Sequence, residues 1–387
     1  MEEVDSLQDV FPSSCKHCGK AFQDTDSIEK GKYFRFQVVD IPEIKPCREE
    51  YHLHSRRRQC GAETWAEIPK HVGRGFGPRI TSFAAYLTGI HRVTRRGIVD
   101  IFKTIFGIDI SVGTVCNLHQ EVSESLSPCY EEIKEALPQQ PVLNVDETGW
   151  RNRGKSRWLW TFVNPKLAFF TVAPSRGAKT LRGILGDTFT GILCSDRFSA
   201  YSSYHKGLRQ ICWAHIIRDI KGIRHACRSP DAVRFSRWIL REIGRMFGLF
   251  HAWRDDHLNR ESLVLKSVPI RARMSNCLQT YELSRDGDVA RMCRGLLKYW
   301  KHLFTFLEYE GVEPTNNPAE QCIRPAVQWR KICFGNQSQG GERLTERLLT
   351  VNRTCFLQKK NAFLHLVNSL IAHWTGLAYP SLVTASR

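Results

Sequence analysis

Hydrophobic residues recur at helical spacing in three long stretches of the chain, and they alternate like strand residues between the first two. The helical stretches cover residues 94–137, 216–310 and 342–375, where apolar positions three or four apart would form one face of each helix. Residues 141–196 instead hold short apolar runs bounded by turn-forming residues, which is typical of strands. The pattern predicts a sheet between two helical regions.

Helix-boundary signals divide the first helical stretch. An apolar stripe over residues 98–106 ends at Gly107, and Ser111 is placed to cap a second helix that begins at Val112. A shorter apolar segment, residues 80–87, predicts another helix before them. Two helices joined this way can place the second in the major groove of DNA, but a plain helical hairpin has the same pattern. Both interpretations stay open.

The strand region has a recognisable order of elements. Strands are predicted near residues 141–148, 157–163, 167–173 and 191–195, with a short helix over 180–185 before the last. Three antiparallel strands, a helix and a parallel strand resemble the core order of a ribonuclease-H-like sheet. The predicted fold class is therefore α/β: a ribonuclease-H-like mixed-sheet catalytic core with a helical insertion, a helical (helix-turn-helix-like) segment and a small N-terminal zinc-finger-like β module.

These patterns predict five segments. They are a zinc-finger-like module (1–70), a helical DNA-binding segment (71–138), a catalytic domain (139–215 and 311–375), a helical insertion (216–310) and a tail (376–387).

The zinc-finger-like module is predicted from its cysteines. The candidate ligands are Cys15, Cys18, Cys47 and Cys60. The first two have the Cys-x-x-Cys spacing of a zinc knuckle, but Arg57, which cannot ligate a metal, stands where the second pair needs its first cysteine. Residues 33–42 and 49–54 alternate like paired strands. Either the module binds Zn²⁺, or a degenerate knuckle is held by its hairpin.

Composition and charge point to a polyanionic partner. The chain has 56 Lys and Arg against 39 Asp and Glu, a formal net charge of +17. Such an excess favours nucleic acid, although a solvated basic surface without function is the alternative. No apolar run is long enough to span a membrane, and the acidic N-terminus lacks the features of a signal peptide. A cytoplasmic location is expected.

The 14 cysteines of a large, unsecreted chain are expected to be mostly reduced. Those in apolar surroundings, such as Cys194, Cys212 and Cys355, are predicted to fill the core.

Three acidic residues stand where a carboxylate is either structural or functional. Asp146 ends the first predicted strand, Asp196 ends the fourth, and Glu320 lies in the first turn of a predicted helix. A buried carboxylate needs a hydrogen bond, a counter-charge or a metal. The ordinary alternatives are a turn cap for each Asp and helix-dipole stabilisation for Glu320. Because side chains alternate along a strand, Glu147 is not expected in the cleft of Asp146.

Two further features lie near these carboxylates. His215 follows a short apolar segment and would either face the same sheet edge or be a hydrogen-bonded core histidine. Arg330, Lys331 and the glycines at 335, 340 and 341 predict a loop that contacts substrate.

Five motifs occur together and in a specific order. They are Asp146-Glu-Thr, Ser195-Asp196-Arg-Phe-Ser-Ala-Tyr, Cys212-Trp-Ala-His215, Asn316-Asn317-Pro-Ala-Glu320-Gln-Cys-Ile-Arg324-Pro and Arg330-Lys331. From about residue 12 to 375 the sequence resembles bacterial insertion-sequence transposases of the IS66 family. The resemblance implies that Asp146, Asp196 and Glu320 are the family's Asp-Asp-Glu triad. Arg57 departs from the family's two Cys-x-x-Cys pairs.

The resemblance also implies an activity. The chain would be a DDE transposase that cuts DNA at the ends of an insertion sequence and joins the 3′-hydroxyl ends to target DNA. The triad would hold two Mg²⁺ or Mn²⁺ ions, with Asp146 bridging both. Five residues are expected to contact DNA or orient the site: His215, Arg324, Lys331, Arg176 and Lys179.

The implied partners are double-stranded DNA, as element ends and as target, further copies of the chain in the active complex, and accessory proteins encoded by the same element. The protein would then be associated with the bacterial nucleoid. Two alternatives remain: a catalytically silent DNA-binding protein derived from a transposase, and a nuclease that cuts without joining. Joined products distinguish a transposase from both.

Overall fold

The structure, a computed structural model, describes residues 4–24, 26–27, 33–72, 75–226 and 229–383. The chain divides into two compact units, Met1–Lys45 and Pro46–Arg387. The five segments expected from the sequence remain predictions.

The first unit holds a tight turn at its Cys-x-x-Cys segment. The amide of Gly19 donates to the Cys15 carbonyl oxygen at 2.9 Å, and the Cys15 amide donates to the Lys20 carbonyl oxygen at 2.8 Å. Gly19 has a φ of 75°, in the left-handed region that glycine adopts without strain. The described residues of this unit otherwise contain one isolated bridge, between Ser14 and Ala21.

The two strands predicted over residues 33–42 and 49–54 do not form, so this prediction is wrong. Apolar side chains of the first segment are exposed, Phe34 completely. Alternation specifies a strand only where one face is buried, and these side chains are not buried. The second unit has a strand pair after residue 54 instead, where β1 (Ser55–Arg57) pairs antiparallel with β2 (Glu63–Trp65).

Four helices follow, and capping side chains mark the start of the second and third. They are α1 (Pro78–Gly89), α2 (Arg95–Phe106), α3 (Val112–Ser125) and α4 (Ser127–Ala136). The Thr94 side chain accepts a hydrogen bond from the Gly97 amide at the start of α2, and Ser111 caps α3 in the same way. Gly107 ends α2 in the left-handed conformation. DNA contact by α2 and α3 stays a prediction.

A five-stranded mixed sheet forms the centre of the second unit. Its strands are β3 (Val142–Asn152), β4 (Lys155–Val163), β5 (Ala168–Ala173), β6 (Ile192–Ser195) and β7 (Arg209–Ile211), with helices α5 (Ala178–Leu185) and α6 (Ser199–Tyr204) between them. The order is β5-β4-β3-β6-β7; the first three are antiparallel, and β6 and β7 run parallel to β3. This arrangement is compatible with a ribonuclease-H-like core.

A helical region separates β7 from the last part of the chain, as the pattern predicts. Its helices are α7 (Trp213–Ala226), α8 (Pro230–Arg254), α9 (Arg260–Tyr281), α10 (Gly287–Lys298) and α11 (Thr305–Glu308). Their apolar side chains share a core with Ile192 and Cys194 of β6, whereas Leu193 between them joins the core on the other face of the sheet. Alternation along β6 therefore divides the strand between two cores.

Three helices complete the described chain: α12 (Asn317–Cys333), α13 (Gln339–Leu357) and α14 (Ala362–Thr375). The predicted loop is shorter than expected. Gly335 lies in the connection between α12 and α13, but Arg330 and Lys331 belong to the last turn of α12 and the glycines at 340 and 341 to the first turn of α13. Ser338 caps α13 by accepting from the Gly341 amide, so these glycines begin a helix. Contact of the α12–α13 connection with substrate stays a prediction.

Helix α13 covers the free edge of the sheet at β5. Its side chains Glu346, Thr350 and Thr354, spaced four residues apart on one face, accept hydrogen bonds from alternate β5 amides. An edge strand otherwise leaves such amides unpaired. No helix among the described residues is both long and apolar enough to cross a membrane.

Candidate active site

Asp146 and Asp196 are brought to the same level of the sheet by the pairing of β3 with β6. The last pair in this parallel ladder is Asn144 with Cys194, and all pairs have the same offset of 50 residues. Asp146 and Asp196 have that offset too, and each lies two residues beyond the last pair. Since β6 ends at Ser195, Asp196 stands at the carboxyl end of its strand beside Asp146.

Glu320 reaches this level through the first turn of α12. The Asn316 side chain donates from Nδ2 to the carbonyl oxygen of Val145, the residue before Asp146, at 2.8 Å. The carbonyl oxygen of Asn316 accepts from the Glu320 amide at 3.1 Å. A buried asparagine thus joins the start of α12 to the middle of β3.

The far end of α12 is joined to the same strand. Nη1 of Arg330 donates to Thr148 Oγ1 at 3.0 Å and to the carbonyl oxygen of Gly149. Contacts with β3 therefore lie on both sides of Asp146 along the strand, and they fix the helix that carries Glu320 relative to Asp146.

The pKa of Asp146 reflects its acidic surroundings. Burial, the charge of Glu147 and the charges of Glu320 and Asp196 together raise it to about 7. The Glu147 backbone amide partly offsets this rise. Asp146 is thus a part-buried carboxyl group under the influence of three other acidic charges, an arrangement that disfavours its ionised form. Among the described residues, however, Asp146, Asp196 and Glu320 do not form a group whose ligand atoms all lie within 4.8 Å of one another.

Glu147 has different partners from Asp146. Its carboxylate accepts from Arg176 Nε at 2.7 Å and from the Tyr201 hydroxyl. Burial raises the pKa of Glu147, and the bonds from Tyr201 and Arg176 counteract that rise. The charge of Glu147 nevertheless raises the pKa of Asp146, and the charge of Asp196 raises the pKa of Glu147. The expectation that Glu147 lies outside the cleft of Asp146 stays a prediction.

Cys212 and His215 adjoin Glu320. Nδ1 of His215 lies 3.4 Å from Glu320 Oε1, and Cys212 Sγ lies 4.0 Å from the same oxygen. The ligand atoms of these three residues lie within 4.8 Å of one another, the one such group of three or more in the described part of the chain. Two positions were expected for His215, at the sheet edge of the carboxylates or in the core. The geometry favours the first, because His215 faces Glu320.

The prediction that Cys212 merely fills the core needs correction. The residue is buried, but its sulfur accepts from the Asn316 amide at 3.1 Å and faces Glu320. Cys212 directly precedes helix α7, so the third residue after it, His215, lies one helical turn on and beside it. The Cys-x-x-His spacing was the sequence signal for this pair.

A family model described as the IS66 family of transposases matches residues 74–343. This chain belongs to the IS66 transposase family. The match covers well over half of the chain and includes Asp146, Asp196 and Glu320 together with the whole five-stranded sheet. Membership in the IS66 family indicates transposase function and implies DNA as a partner.

Two further relatives come from Sinorhizobium fredii, and both are named only as uncharacterized proteins. The relative y4hP is 26% identical over 391 residues, which is 89% of this chain and 68% of that protein. The relative y4qI is 25% identical over 224 residues, which is 51% of this chain and 40% of that protein. Neither name adds an activity to the IS66 assignment.

The remaining candidate DNA contacts lie in different surroundings. Lys179 is exposed on α5, and Arg324 and Lys331 are exposed on α12. Arg176 is occupied: it pairs with Glu147 and stacks over the Phe198 ring at 3.9 Å. Contact of these residues with DNA stays a prediction for this IS66 member.

The cysteine ligands predicted for the N-terminal module lie in both units. Cys15 and Cys18 belong to the tight turn of the first unit, whereas Cys47 and Cys60 belong to the second. Backbone hydrogen bonds to Cys18 and His17 lower the pKa of the Cys15 thiol. A depressed pKa favours the thiolate that zinc requires, and Zn²⁺ binding stays a prediction.

Proposed function

We propose that this IS66 family member is a DDE transposase that cuts the ends of its insertion sequence and joins the 3′-hydroxyl ends to target DNA. Asp146, Asp196 and Glu320 are the proposed catalytic carboxylates of a ribonuclease-H-like domain. The proposal rests chiefly on one observation. Asp146 and Asp196 share the 50-residue register of β3 and β6, and Asn316 links the helix of Glu320 to the residue before Asp146.

The ligand chemistry of the three residues suits Mg²⁺ or Mn²⁺. Hard divalent cations prefer oxygen ligands, and each member of the triad offers a carboxylate. The raised pKa of Asp146 reflects burial and the neighbouring acidic charges, both of which a cation would offset. Asn316 Oδ1 is a further buried oxygen without a hydrogen-bond partner in the described part of the chain. Two bound ions would supply charge stabilisation and activation of water for phosphodiester cleavage.

The chain's own residues hold the carboxylates in place. Asn316 and Arg330 attach α12 to β3 before and after Asp146, which limits the movement of Glu320 relative to Asp146. Arg176 and Tyr201 bind Glu147, so the acidic neighbour of Asp146 has partners of its own. Preorganised ligands of this kind reduce the rearrangement needed when charge develops during reaction.

The partners follow from the same proposal. Double-stranded DNA supplies the element ends and the target, and the net charge of +17 favours such a polyanion. Exposed Lys179, Arg324 and Lys331 are the proposed phosphate contacts. Bringing two DNA ends together calls for more than one copy of the chain, and accessory proteins from the same element are proposed to assist.

A mobilisation assay in bacterial cells tests the function. A marker flanked by the ends that border this gene is supplied with the protein and the neighbouring reading frames. We expect junctions with the unmutated protein and a loss of at least about 10³-fold, or about 4 kcal/mol of transition-state stabilisation, with Asp146→Asn, Asp196→Asn or Glu320→Gln. These substitutions keep size and remove a charged ligand.

Glu346→Gln is the matched control, because Glu346 is also a part-buried carboxyl group with a pKa of about 7 but lies at the β5 edge. It should retain mobilisation. Normal junction frequency with any triad variant would refute the catalytic assignment. Specific binding of the ends without junctions from any version would favour the catalytically silent DNA-binding protein, and cut ends without joining would favour a nuclease.

A further inference from the structure

The group formed by Cys212, His215 and Glu320 differs in chemistry from the proposed carboxylate triad. It offers one sulfur, one imidazole nitrogen and one carboxylate, with all three ligand atoms within 4.8 Å of one another. Magnesium prefers oxygen ligands. Sulfur and imidazole ligands instead suit Zn²⁺ and similar thiophilic ions, and three protein ligands with a fourth open position are typical of zinc sites outside structural fingers.

The Cys212 sulfur is directed at backbone amides. It accepts from the Asn316 amide at 3.1 Å. Burial, and also the charge of Glu320, raise the pKa of the thiol, and the backbone amides of Asn316, His215 and Ala214 offset only part of that rise. Two of these amides belong to the first turn of α7, where free N–H groups and the helix dipole favour negative charge. Donors of this kind around a sulfur are what a metal-bound thiolate requires.

His215 supplies a nitrogen that has no hydrogen bond. Its Nδ1 is buried and has no hydrogen-bond partner among the described residues, although Glu320 Oε1 lies 3.4 Å away. A buried ring nitrogen without a partner is costly. The distance to Glu320 is of the order that separates two ligands of one tetrahedral ion, so a shared cation would satisfy both atoms.

We propose that Cys212, His215 and Glu320 bind a thiophilic divalent ion of the zinc type, and that this ion withdraws Glu320 from the carboxylate triad. The ion is then an inhibitor of DNA cleavage that competes with magnesium through the shared Glu320. The binding half of the proposal stands on these three residues alone. The inhibition half rests on the proposed transposase function.

Cobalt titration of the purified full-length protein tests the binding half. Co²⁺ takes zinc sites and gives a thiolate-to-metal charge-transfer band. The chain used carries Cys15→Ser, Cys18→Ser, Cys47→Ser and Cys60→Ser, which remove the four predicted N-terminal ligands. We expect one Co²⁺ per chain with this band, displaced by Zn²⁺. Further substitution by Cys212→Ser should abolish the band, and His215→Ala should weaken Co²⁺ binding by at least about tenfold, as loss of even a supporting contact does.

Two variants serve as controls for this titration. Cys116→Ser removes a half-buried cysteine on α3 and should leave the band unchanged. Asp146→Asn removes a member of the triad that is not in the sulfur-containing group and should also leave it unchanged. Absence of a thiolate band in the parent, or a band that survives both Cys212→Ser and His215→Ala, overturns the site.

The inhibition half is measured as joined DNA product at fixed Mg²⁺ and increasing Zn²⁺. We expect inhibition that weakens as Mg²⁺ rises. His215→Ala should need at least about tenfold more Zn²⁺ for the same inhibition, matching its loss of affinity. Zinc binding at this site without inhibition overturns the shared role of Glu320. If no product forms even without Zn²⁺, the transposase proposal fails, while the cobalt titration still decides whether the metal site exists.

Discussion

Two part-buried carboxyl groups at the same sheet, Glu346 and Asp146, have a pKa raised to about 7, but their surroundings differ. At the β5 edge, Glu346 Oε1 accepts from the Val172 amide at 2.6 Å and from Thr171 Oγ1 at 3.1 Å. Asp146 lies on β3, at the level where β6 ends, and the charges of Glu147, Glu320 and Asp196 raise its pKa. Burial is the largest cause of the raised pKa in both.

The difference lies in what balances the buried charge. At the β5 edge, every second backbone amide donates a hydrogen bond to a side-chain acceptor on α13, as expected of a structural contact. The Asp146 region gathers acidic groups beside buried atoms without partners, namely His215 Nδ1 and Asn316 Oδ1 in the described part of the chain. A perturbed pKa alone therefore does not identify a functional site. Glu346 also has an acidic neighbour, Glu342, whose Oε1 is buried without a hydrogen-bond partner in the described part of the chain. The contrast is that three acidic charges raise the pKa of Asp146.

The largest predicted contrast is the pH dependence of stability at Asp146. A carboxyl group whose pKa is raised from 3.8 to about 7 binds a proton more tightly in the folded chain. Its contribution to stability therefore falls as pH rises from about 4 to 7. In metal-free protein at pH 8, Asp146→Asn should raise the free energy of unfolding by up to about 4 kcal/mol. At pH 4 the gain should vanish.

Denaturant unfolding at both pH values, with chelator present, measures this effect. A gain that is equal at pH 4 and pH 8 would show that the substitution acts through packing and that the acidic neighbours do not set the pKa of Asp146.

A smaller effect is predicted at the β5 edge. At about pH 5, where the Glu346 carboxyl group with its pKa of about 7 is neutral, Glu346→Ala removes the acceptor of the Val172 amide and leaves a part-buried donor unpaired, which should lower the free energy of unfolding by about 1–3 kcal/mol. Glu346→Gln keeps an acceptor oxygen and is the matched control. Hydrogen exchange of the Val172 amide, together with denaturant unfolding, reports the change. If the amide remains protected in the alanine variant, the edge does not depend on Glu346.

Much of the fold was predictable because its signals are local. Gly107 and Ser111 mark the end of α2 and the start of α3 through capping chemistry, and the structure confirms them. The strands over residues 33–42 failed for the opposite reason. Alternation there is clear, but a strand needs a partner and a buried face, and neither is a property of the local sequence.

The site was predictable only in part. The sequence marks Asp146, Asp196 and Glu320 as candidates, but their common level depends on the register of two strands that pair across 50 residues. Cys212 was assigned to the core because its sequence neighbours are apolar. Its contact with Glu320 depends on the change from strand to helix after β7 and on the placement of α12, which are tertiary features.

The smallest predicted effect separates the two regions by their response to magnesium. If the acidic group around Asp146 holds Mg²⁺, binding stabilises the folded chain by RT ln(1 + [Mg²⁺]/Kd), about 1.4 kcal/mol at tenfold the Kd. Thermal unfolding at pH 8 should show this gain in the unmutated chain and in Glu346→Gln, and Asp146→Asn should lose it. The same measurement with calcium in place of magnesium should show the same pattern, because calcium also binds oxygen ligands. An equal magnesium response in both variants would mean that the acidic cluster at Asp146 is a structural feature like the β5 edge, and the catalytic carboxylates would have to be sought elsewhere in the sheet.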